Sequence, residues 1–397
     1  MGRSVEEHAS HIEKLFDRVI HHRGAEIVSL ESALGRVTVA PVLAPLDLPL
    51  FRNSQMDGFA VRAVDVATVP TRLPVVADLP AGPSEPAALL PGTAARIMTG
   101  AVVPPGADCI VPVEHTALEG AQIVGATVTV SIARAAGDFV REPGSDIRAG
   151  QLLVDDGVRL GPRHLAALAA VGLTEVAVAR RPRVAIITTG AELSTEPKPG
   201  QIFDANLVAL KTAAIEVGAE VVLAERSSDD AAEFRGILDR AVTEADLVLT
   251  SGGVSKGAFE VVRDVLEPLG ADVVEVRMQP GGPQATTVVG GVPVISFPGN
   301  PVSSQISFVV FVRPLLSRLA GLDVTLERTA TLSGGLDSVA GKRQFLRGTL
   351  LPGGSVEVLG GAGSHLVATM AAADVLIDVP EAAERIEGGR DVRVWNL

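Results

Sequence analysis

ADLVLTSGGVSKG, residues 245–257, decides how the chain is read. A short apolar run ends in two glycines flanked by serines, and a helical pattern follows. The same rhythm continues in both directions. Arg183–Thr188 (RVAIIT), Glu220–Leu223, Asp246–Thr250 (DLVLT), Asp272–Val276 and Pro293–Phe297 (PVISF) are short apolar runs. Between them, Asn206–Val217, Asp229–Val242 and Ala258–Leu266 place apolar residues three and four apart. Strand and helix alternating in this way predict an α/β domain over 181–324, a parallel sheet covered on both faces. In such sheets ligands bind beyond the carboxyl ends of the strands, so the loops after the apolar runs are the ones to inspect.

The flanks read differently. Residues 45–140 are dense in proline, and alternation as in Val128–Ile132 predicts short antiparallel strands, hence a β-rich insertion. Residues 1–44 and 141–180 carry helical stretches (Glu6–His21, Arg163–Ala170) and group as a partly helical, elongated unit around that insertion. After Thr325, Gln344–Leu351, Pro352-Gly353-Gly354 and Val356–Leu359 read as a hairpin, and 325–397 as a small C-terminal β barrel. The expected fold class is therefore multidomain α/β.

Composition limits the function. The chain has 397 residues, with 34 Lys+Arg against 47 Asp+Glu, a formal charge of −13. That balance opposes nucleic-acid binding, which needs a basic face. It leaves anionic small ligands open, because backbone N–H groups at helix starts hold anions without a basic side chain. Cys109 is the single cysteine, so no internal disulfide or multi-cysteine metal site forms. No apolar run approaches the ~20 residues of a membrane helix. The N-terminus is acidic and amphipathic, unlike a signal peptide, and a cytoplasmic protein is expected. The histidines carry no assignable chemistry; His8, His11, His21 and His22 are expected on a solvated helix face.

Four groups of residues are candidates for chemistry. In Ser251-Gly252-Gly253-Val254-Ser255 the glycines let backbone approach a ligand, and serines with free N–H groups suit a phosphate; a ligand-free βα turn explains the pattern equally well. Pro298-Gly299-Asn300-Pro301-Val302-Ser303-Ser304 is a stiff loop leading into an apolar helix that Ser303 or Ser304 is placed to cap. Taken alone it reads as a rigid turn. Glu192, Asp204, Asp229, Asp230 and Glu260 sit on or beside strand-end loops, where carboxylates can hold Mg²⁺ against substrate phosphates. For Asp229 a helix-start role is the stronger competing explanation. Asp57-Gly58 and the polar loops around Thr99 and Asp146 read, one by one, as turns.

Taken in order, these segments form a specific set: PLDLPLFRNSQMDGFAVR (45–62), RIMTGAVVPPGAD (96–108), VREPGSDIRAG (140–150), TTGAEL (188–193), GQIFDAN (200–206), ADLVLTSGGVSKG (245–257), FPGNPVSS (297–304) and GSHLVATMAAADVLI (363–377). The set resembles the molybdopterin molybdenumtransferase family, bacterial MoeA and the E domain of gephyrin, over nearly the whole chain. The resemblance implies Mg²⁺-dependent hydrolysis of adenylylated molybdopterin coupled to insertion of molybdate into the dithiolene. It implies a homodimer, with a molybdopterin adenylyltransferase-type protein as a further partner. It also implies a site between the sheet domain and the insertion of the partner subunit. Asp57, Thr99, Asp146, Glu192 and Asp229 would be catalytic, with Asp57, Glu192 and Asp229 on the metal. Ser251, Gly252, Gly253, Ser255, Glu260, Pro298, Gly299, Asn300, Pro301 and Ser303 would bind the pterin.

One stretch departs from the family. Relatives carry a lysine in a Pro-Gly-Lys-Pro segment; here it is Gln279-Pro280-Gly281-Gly282-Pro283, with Glu275 where a lysine is also common and Glu260 where an aspartate is usual. A charge-assisted hydrogen bond contributes about 1.5–3 kcal/mol, so two losses weaken anion binding by roughly two to four powers of ten unless something offsets them. Arg277 is the nearby candidate, sharing a strand face with Glu275 and Gln279 if alternation holds. The competing function is a paralogue that binds or stores the cofactor with weakened insertion activity. A weaker third is a phosphoanhydride hydrolase for another nucleotide conjugate.

Overall fold

The structure is a computed structural model that describes residues 2–22, 24–254, 261–322 and 327–397. The chain forms two compact units. One contains Met1–Glu26, Gly35–Val37 and Ala177–Leu397; the other contains Ile27–Leu34 and Thr38–Val176.

The first unit opens with α1 (Val5–His22). Sequence grouping places this helix with the 141–180 segment, but it packs on the sheet instead. The reason is its apolar stripe: Val5, Ile12, Phe16 and Val19 bury against Leu247, Leu249, Ile295 and the π-helical segment Phe308–Val312. His8 lies on that stripe. It is fully buried, edge-on to Phe311 at 4.9 Å, which corrects the expectation of a solvated histidine. Burial pushes its pKa down to about 3, and the nearby Arg3 charge adds to the shift.

The second unit carries the helix α2 (Pro162–Ala170) and a six-stranded sheet ordered Cys109–Pro112, Gly58–Val61, Ala94–Ile97, Thr71–Leu79, Thr127–Val130, Thr116–Glu119. All its pairings are antiparallel except Thr71–Leu79 with Ala94–Ile97. Alternation buries Phe59, Val61, Cys109 and Val111 on one face and Ala60, Ile97 and Ile110 on the other.

In the first unit the α/β core comprises β1 (Arg183–Thr189), α3 (Ala205–Glu216), β2 (Glu220–Ser227), α4 (Ala231–Glu244), β3 (Leu247–Ser251), α5 (Val261–Leu266), β4 (Asp272–Glu275), β5 (Met278–Gln279), β6 (Pro283–Val289), β7 (Val292–Phe297), α6 (Pro301–Ser307) and α7 (Arg313–Leu319). The sheet order is β2-β1-β3-β7-β6-β4. β2, β1, β3 and β7 are parallel, as the apolar runs predict. β6, a run of Pro-Gln-Ala-Thr-Thr-Val-Val without a clear pattern, inserts antiparallel between β7 and β4. Residues of alternate parity enter two cores: Ile186, Leu249 and Ile295 face α1 and α6, while Ile187, Val248 and Val294 face α4 and α5.

The C-terminal strands β8 (Glu327–Leu332), β9 (Arg343–Leu350), β10 (Ser355–Val358), β11 (Val375–Val379) and β12 (Asp391–Asn396) close in the order β9-β10-β8-β12-β11-β9. This is the expected barrel, and the expected hairpin is β9–β10, with Thr349 opposite Glu357. α8 (Val367–Ala371) follows the β10–α8 loop. Leu346, Val356, Ile377 and Val394 fill the interior. β5 leaves the sheet and pairs in parallel with β9, which ties the barrel to the segment after β4.

Candidate active site

The parallel strands end together, and their C-terminal loops frame a cavity of about 570 Å³. That is within the usual range for a small-molecule site. Four strand-end loops supply one side of the lining. β1 supplies Thr189, followed by Gly190 and Glu192; Asp229 follows β2; Gly252 and Gly253 follow β3; Pro298, Gly299, Asn300 and Pro301 follow β7, with Ser303 in α6. Opposite them stand Glu275, Gln279, Gly281 and Gly282, with Lys342, Ala362 and Ser364 from the barrel.

The glycines are required by close backbone approach. At Gly252 (φ +98°) a Cβ would lie 2.4 Å from the Thr189 carbonyl oxygen, and at Gly299 one would lie 3.3 Å from the Gly252 Cα. The two loops thus touch main chain to main chain. Asn206 locks them: its amide donates to Ser251 Oγ at 2.9 Å and to the Gly299 carbonyl at 2.7 Å. Ser251 Oγ in turn donates to the Pro298 carbonyl at 3.2 Å. Ser251 is 1% exposed and does not line the cavity. Its place is therefore between the loops, which corrects the expectation of a ligand-facing hydroxyl. Thr189 is a wall residue whose buried hydroxyl, without a protein partner, lies close against Gly252 and Gly253.

The helix starts separate two roles that sequence alone leaves open. Asp230 is the N-cap of α4; its Oδ1 accepts from the N–H groups of Ala232 (2.9 Å) and Glu233 (2.8 Å). Asp229 is thereby left to the cavity, with one oxygen accepting from Ala191 N–H at 3.2 Å. Asp204 caps α3 and accepts from Leu207 N–H at 2.9 Å. The N-cap of α6 is Asn300, so Ser303 and Ser304 lie within the helix and do not cap it. Pro301 at the first helical position explains the shift, since its ring suits that site and it has no N–H to satisfy. The Glu192 carboxylate folds over Gly190, where a Cβ would be 2.5 Å from Oε2.

On the facing wall, Glu275 and Gln279 line the cavity and Arg277 does not. Strict alternation fails because β4 ends at Glu275 and the chain pairs instead with the N-terminal segment: Arg277 N–H donates to the Arg3 carbonyl at 2.8 Å. The Arg277 guanidinium is taken by Glu381 (2.7 Å) and the Gly2 carbonyl. The Glu381 bond also raises its pKa. Arg277 therefore does not replace the missing lysines. Gln279 is held by Gln344, whose amide donates to Gln279 Oε1 at 2.6 Å. Arg347, fully buried, donates to the carbonyls of Gly361 and Gly363 and so shapes the loop bearing Ala362 and Ser364.

In the second unit, Asp57 Oδ1 accepts from both the N–H and the hydroxyl of Thr99, each at 2.7 Å. The Thr99 N–H and then its hydroxyl hold the Asp57 carboxyl below its usual range. Gly58 is not a turn glycine; it begins Gly58–Val61, where a Cβ would lie 2.2 Å from the Val111 carbonyl oxygen. Asp146 is exposed, and its N–H donates to the Leu48 carbonyl at 2.9 Å. Ser255 and Glu260 lie outside the described residues.

The sequence matches three family models in succession. Residues 3–172 match the MoeA N-terminal region (domain I and II), 185–318 the "Probable molybdopterin binding domain" and 329–397 the MoeA C-terminal region (domain IV). The Molybdopterin molybdenumtransferase 2 of Mycobacterium tuberculosis is 41% identical over 414 aligned residues, covering 100% of both chains. The chain belongs to the MoeA family. The Molybdopterin molybdenumtransferase of a Nostoc species is 37% identical, covering 99% of this chain and 94% of its own. A crystal structure of the MoeA molybdopterin biosynthesis protein from Pyrococcus horikosii aligns with a TM-score of 0.79 at 34% identity, over 97% of this chain and 98% of the other. The fold class read from the sequence is thus the MoeA fold.

Sequence reasoning missed Asn206, Thr189, Lys342, Ala362 and Ser364. Asn206 and Thr189 stand inside quoted motifs, two residues after Asp204 and one before Gly190. Lys342 and Ala362 had no local signal, because long-range contacts bring the barrel to the cavity, β5 with β9 and the Val302 N–H with the Ser364 carbonyl at 3.2 Å; Ser364 stands within the quoted 363–377 segment without an assigned role.

Proposed function

We propose that this chain is a molybdopterin molybdenumtransferase of molybdenum cofactor biosynthesis. It would hydrolyse the phosphoanhydride of adenylylated molybdopterin with Mg²⁺ and insert molybdate into the dithiolene. The observation that carries this reading is the joining of the Gly252–Gly253 and Pro298–Pro301 loops into one wall, with Glu192 and Asp229 on the same cavity.

Glu192 and Asp229 suit a Mg²⁺ ion. Both are hard oxygen donors on one cavity, and neither has an ion pair with Lys or Arg among the described residues. No cluster of three or more His, Cys, Asp or Glu side chains is found among the described residues. That agrees with Mg²⁺, which usually takes one or two protein carboxylates and completes its shell with phosphate oxygens and water. Bound there, the ion would neutralise phosphate charge and favour departure of the adenylate. The chain's own residues do the rest. The glycine loops would bring backbone close to the pterin phosphate, and the Ser303 hydroxyl on the cavity wall would offer a donor. The Asn206 clamp keeps the two loops from separating, which pre-pays the ordering of the site.

The weakened paralogue remains the second reading, favoured by one observation: the Glu275–Pro283 wall presents a carboxylate and no cation. Expression in cells lacking their own insertase separates the two. Restored molybdoenzyme activity supports the transferase. Restoration only after Gly282→Lys supports the paralogue. A Cβ at Gly282 would lie 2.3 Å from Glu275 Oε1, a mobile side-chain end, so the substitution is best paired with Glu275→Gln. The working state proposed is a homodimer, and light scattering at micromolar concentration should give twice the 40.9 kDa chain mass.

A further inference from the structure

Glu192 and Asp229 reach the cavity by different routes. Asp229 follows directly from the end of β2. Glu192 lies beyond β1 and past Gly190, whose φ of +151° is a conformation that residues with a Cβ rarely adopt. A glycine at that point leaves the next residues free to turn, so β1 alone does not fix the Glu192 carboxylate.

Tethers on both sides of Glu192 fix it instead. The Ile202 N–H donates to the Glu192 carbonyl at 2.8 Å, and the Ser194 N–H donates to the Ile202 carbonyl at 2.9 Å. Asp229 accepts from the Ala191 N–H at 3.2 Å. Arg226 Nη1 donates to the Leu193 carbonyl at 2.7 Å. The Ile202 tether is main chain to main chain, and the Ala191 tether uses the other cavity carboxylate. Arg226 supplies a side-chain tether from outside that pair. Its stem is set by β2, where it stands opposite Thr188 of β1. Its guanidinium has no ion pair among the described residues, so the Leu193 carbonyl does not compete with a carboxylate for it.

We propose that Arg226 is a positioning residue for the divalent-cation site: by holding the Leu193 carbonyl it keeps the Glu192 carboxylate on the cavity that Asp229 also lines. The identity of the ion as Mg²⁺, and of the reaction it serves, rests on the transferase reading. Charge and position act in opposite directions here. A guanidinium close to a cation site disfavours the ion, so loss of its charge alone would tighten metal binding. Loss of the tether lets the Glu192 loop turn about Gly190 and loosens metal binding.

The test compares Arg226→Met, which keeps the stem and removes the donors, and Arg226→Lys, which keeps a donor, with the unchanged protein and with Glu192→Gln. The first measurement is Mn²⁺ binding to the substrate-free protein, read from the electron spin resonance of the free ion. The second is AMP release from adenylylated molybdopterin as Mg²⁺ is varied. Arg226→Met should weaken Mn²⁺ binding, and raise the Mg²⁺ needed for half-maximal rate, each by about three- to tenfold, the factor for one hydrogen bond. Arg226→Lys should retain most of the affinity. The thermal midpoint should stay unchanged in both, since Arg226 is exposed. In the Glu192→Gln background Arg226→Met should have no further effect, because it acts through that carboxylate. Mn²⁺ binding that falls in Glu192→Gln but is unchanged or tighter in Arg226→Met would overturn the inference and leave the metal site in place. Full additivity of the two substitutions would also overturn it, and Mn²⁺ binding indifferent to Glu192 would overturn it together with the metal assignment. Arg226-dependent Mn²⁺ binding without AMP release would leave the inference standing and remove the transferase reading.

Discussion

The two walls of the cavity are built on different principles. One consists of the strand-end loops at Gly252 and Gly299, in van der Waals contact and locked by the Asn206 amide. The other consists of Glu275–Gly282 and the barrel residues Lys342 and Ser364, where single side chains set the charge. In the first wall shape is the constraint, so substitutions should damage folding and binding together. In the second, charge is the variable, so substitutions should alter binding and leave the fold intact. The divergence from the family's lysine pattern falls entirely on the second wall. That is where a change costs the fold least.

The largest effect should come from the carboxylates attached to the rigid wall. Glu192→Gln and Asp229→Asn should each lower the rate of AMP release about 10–100-fold, the scale seen for lost metal-site interactions, and raise the Mg²⁺ needed for half-maximal rate. Their thermal midpoints should not move, because neither carboxylate has a buried salt bridge to lose. An unchanged Mg²⁺ requirement in both variants would remove them from the metal.

Next come the shape residues. Gly252→Val drives a Cβ into the Thr189 carbonyl from a positive-φ position, and should cost about 1–3 kcal/mol of stability. Asn206→Leu should cost a similar amount, about 1–3 kcal/mol, by leaving the Gly299 carbonyl without its partner. Denaturant midpoints at constant m-value check both, and molybdopterin binding should fall in parallel. If either loses binding with full stability, the contrast between the walls is wrong.

A smaller effect concerns the α1 face beneath the sheet. His8 titrates at about 3 in the folded chain against 6.5 for a free side chain, so the unfolded chain binds the extra proton between those values. Stability from this group is complete above pH 6.5 and declines as pH falls, by up to about 1.4 kcal/mol per unit. The groups around it are Arg3, His11, Asp272 and Phe311. His11 is also pushed down, chiefly by burial, and contributes in the same direction. His8→Leu should flatten the fall in thermal midpoint between pH 6.5 and 5. An unchanged slope would mean that other groups carry the acid sensitivity. The smallest effect belongs to the charged wall: Glu275→Gln should tighten molybdate binding by roughly two- to fivefold, as expected for one exposed charge, without any change in stability.

The contrast also explains what the sequence makes legible. Strand-end glycines and prolines announce themselves because backbone geometry restricts those positions to few residue types, so the Gly252 and Pro298 loops stand out in the sequence. The four parallel strands and the barrel hairpin follow from apolar runs and turn residues. β6 escapes notice because Gln284, Thr286 and Thr287 are polar residues buried in a strand, which breaks the hydrophobic signal. His8 reads as a surface histidine because residue type outweighs its position on the apolar stripe of α1. Lys342 is invisible locally, since a pairing between β5 and β9 some 65 positions apart brings it to the site. Arg277 misleads for the same reason: the partner that breaks its strand alternation is Arg3, at the other end of the chain.

The central claim is that this cavity couples hydrolysis of adenylylated molybdopterin to molybdate insertion. The direct measurement is AMP release by the purified protein in the presence of Mg²⁺, with and without molybdate, alongside molybdenum retained on the pterin. The account predicts one AMP released per molybdenum inserted, with both dependent on molybdate and both lost in the Glu192→Gln, Asp229→Asn double variant. Bound adenylylated molybdopterin that yields neither AMP nor molybdenum cofactor at saturating molybdate and Mg²⁺ would contradict it.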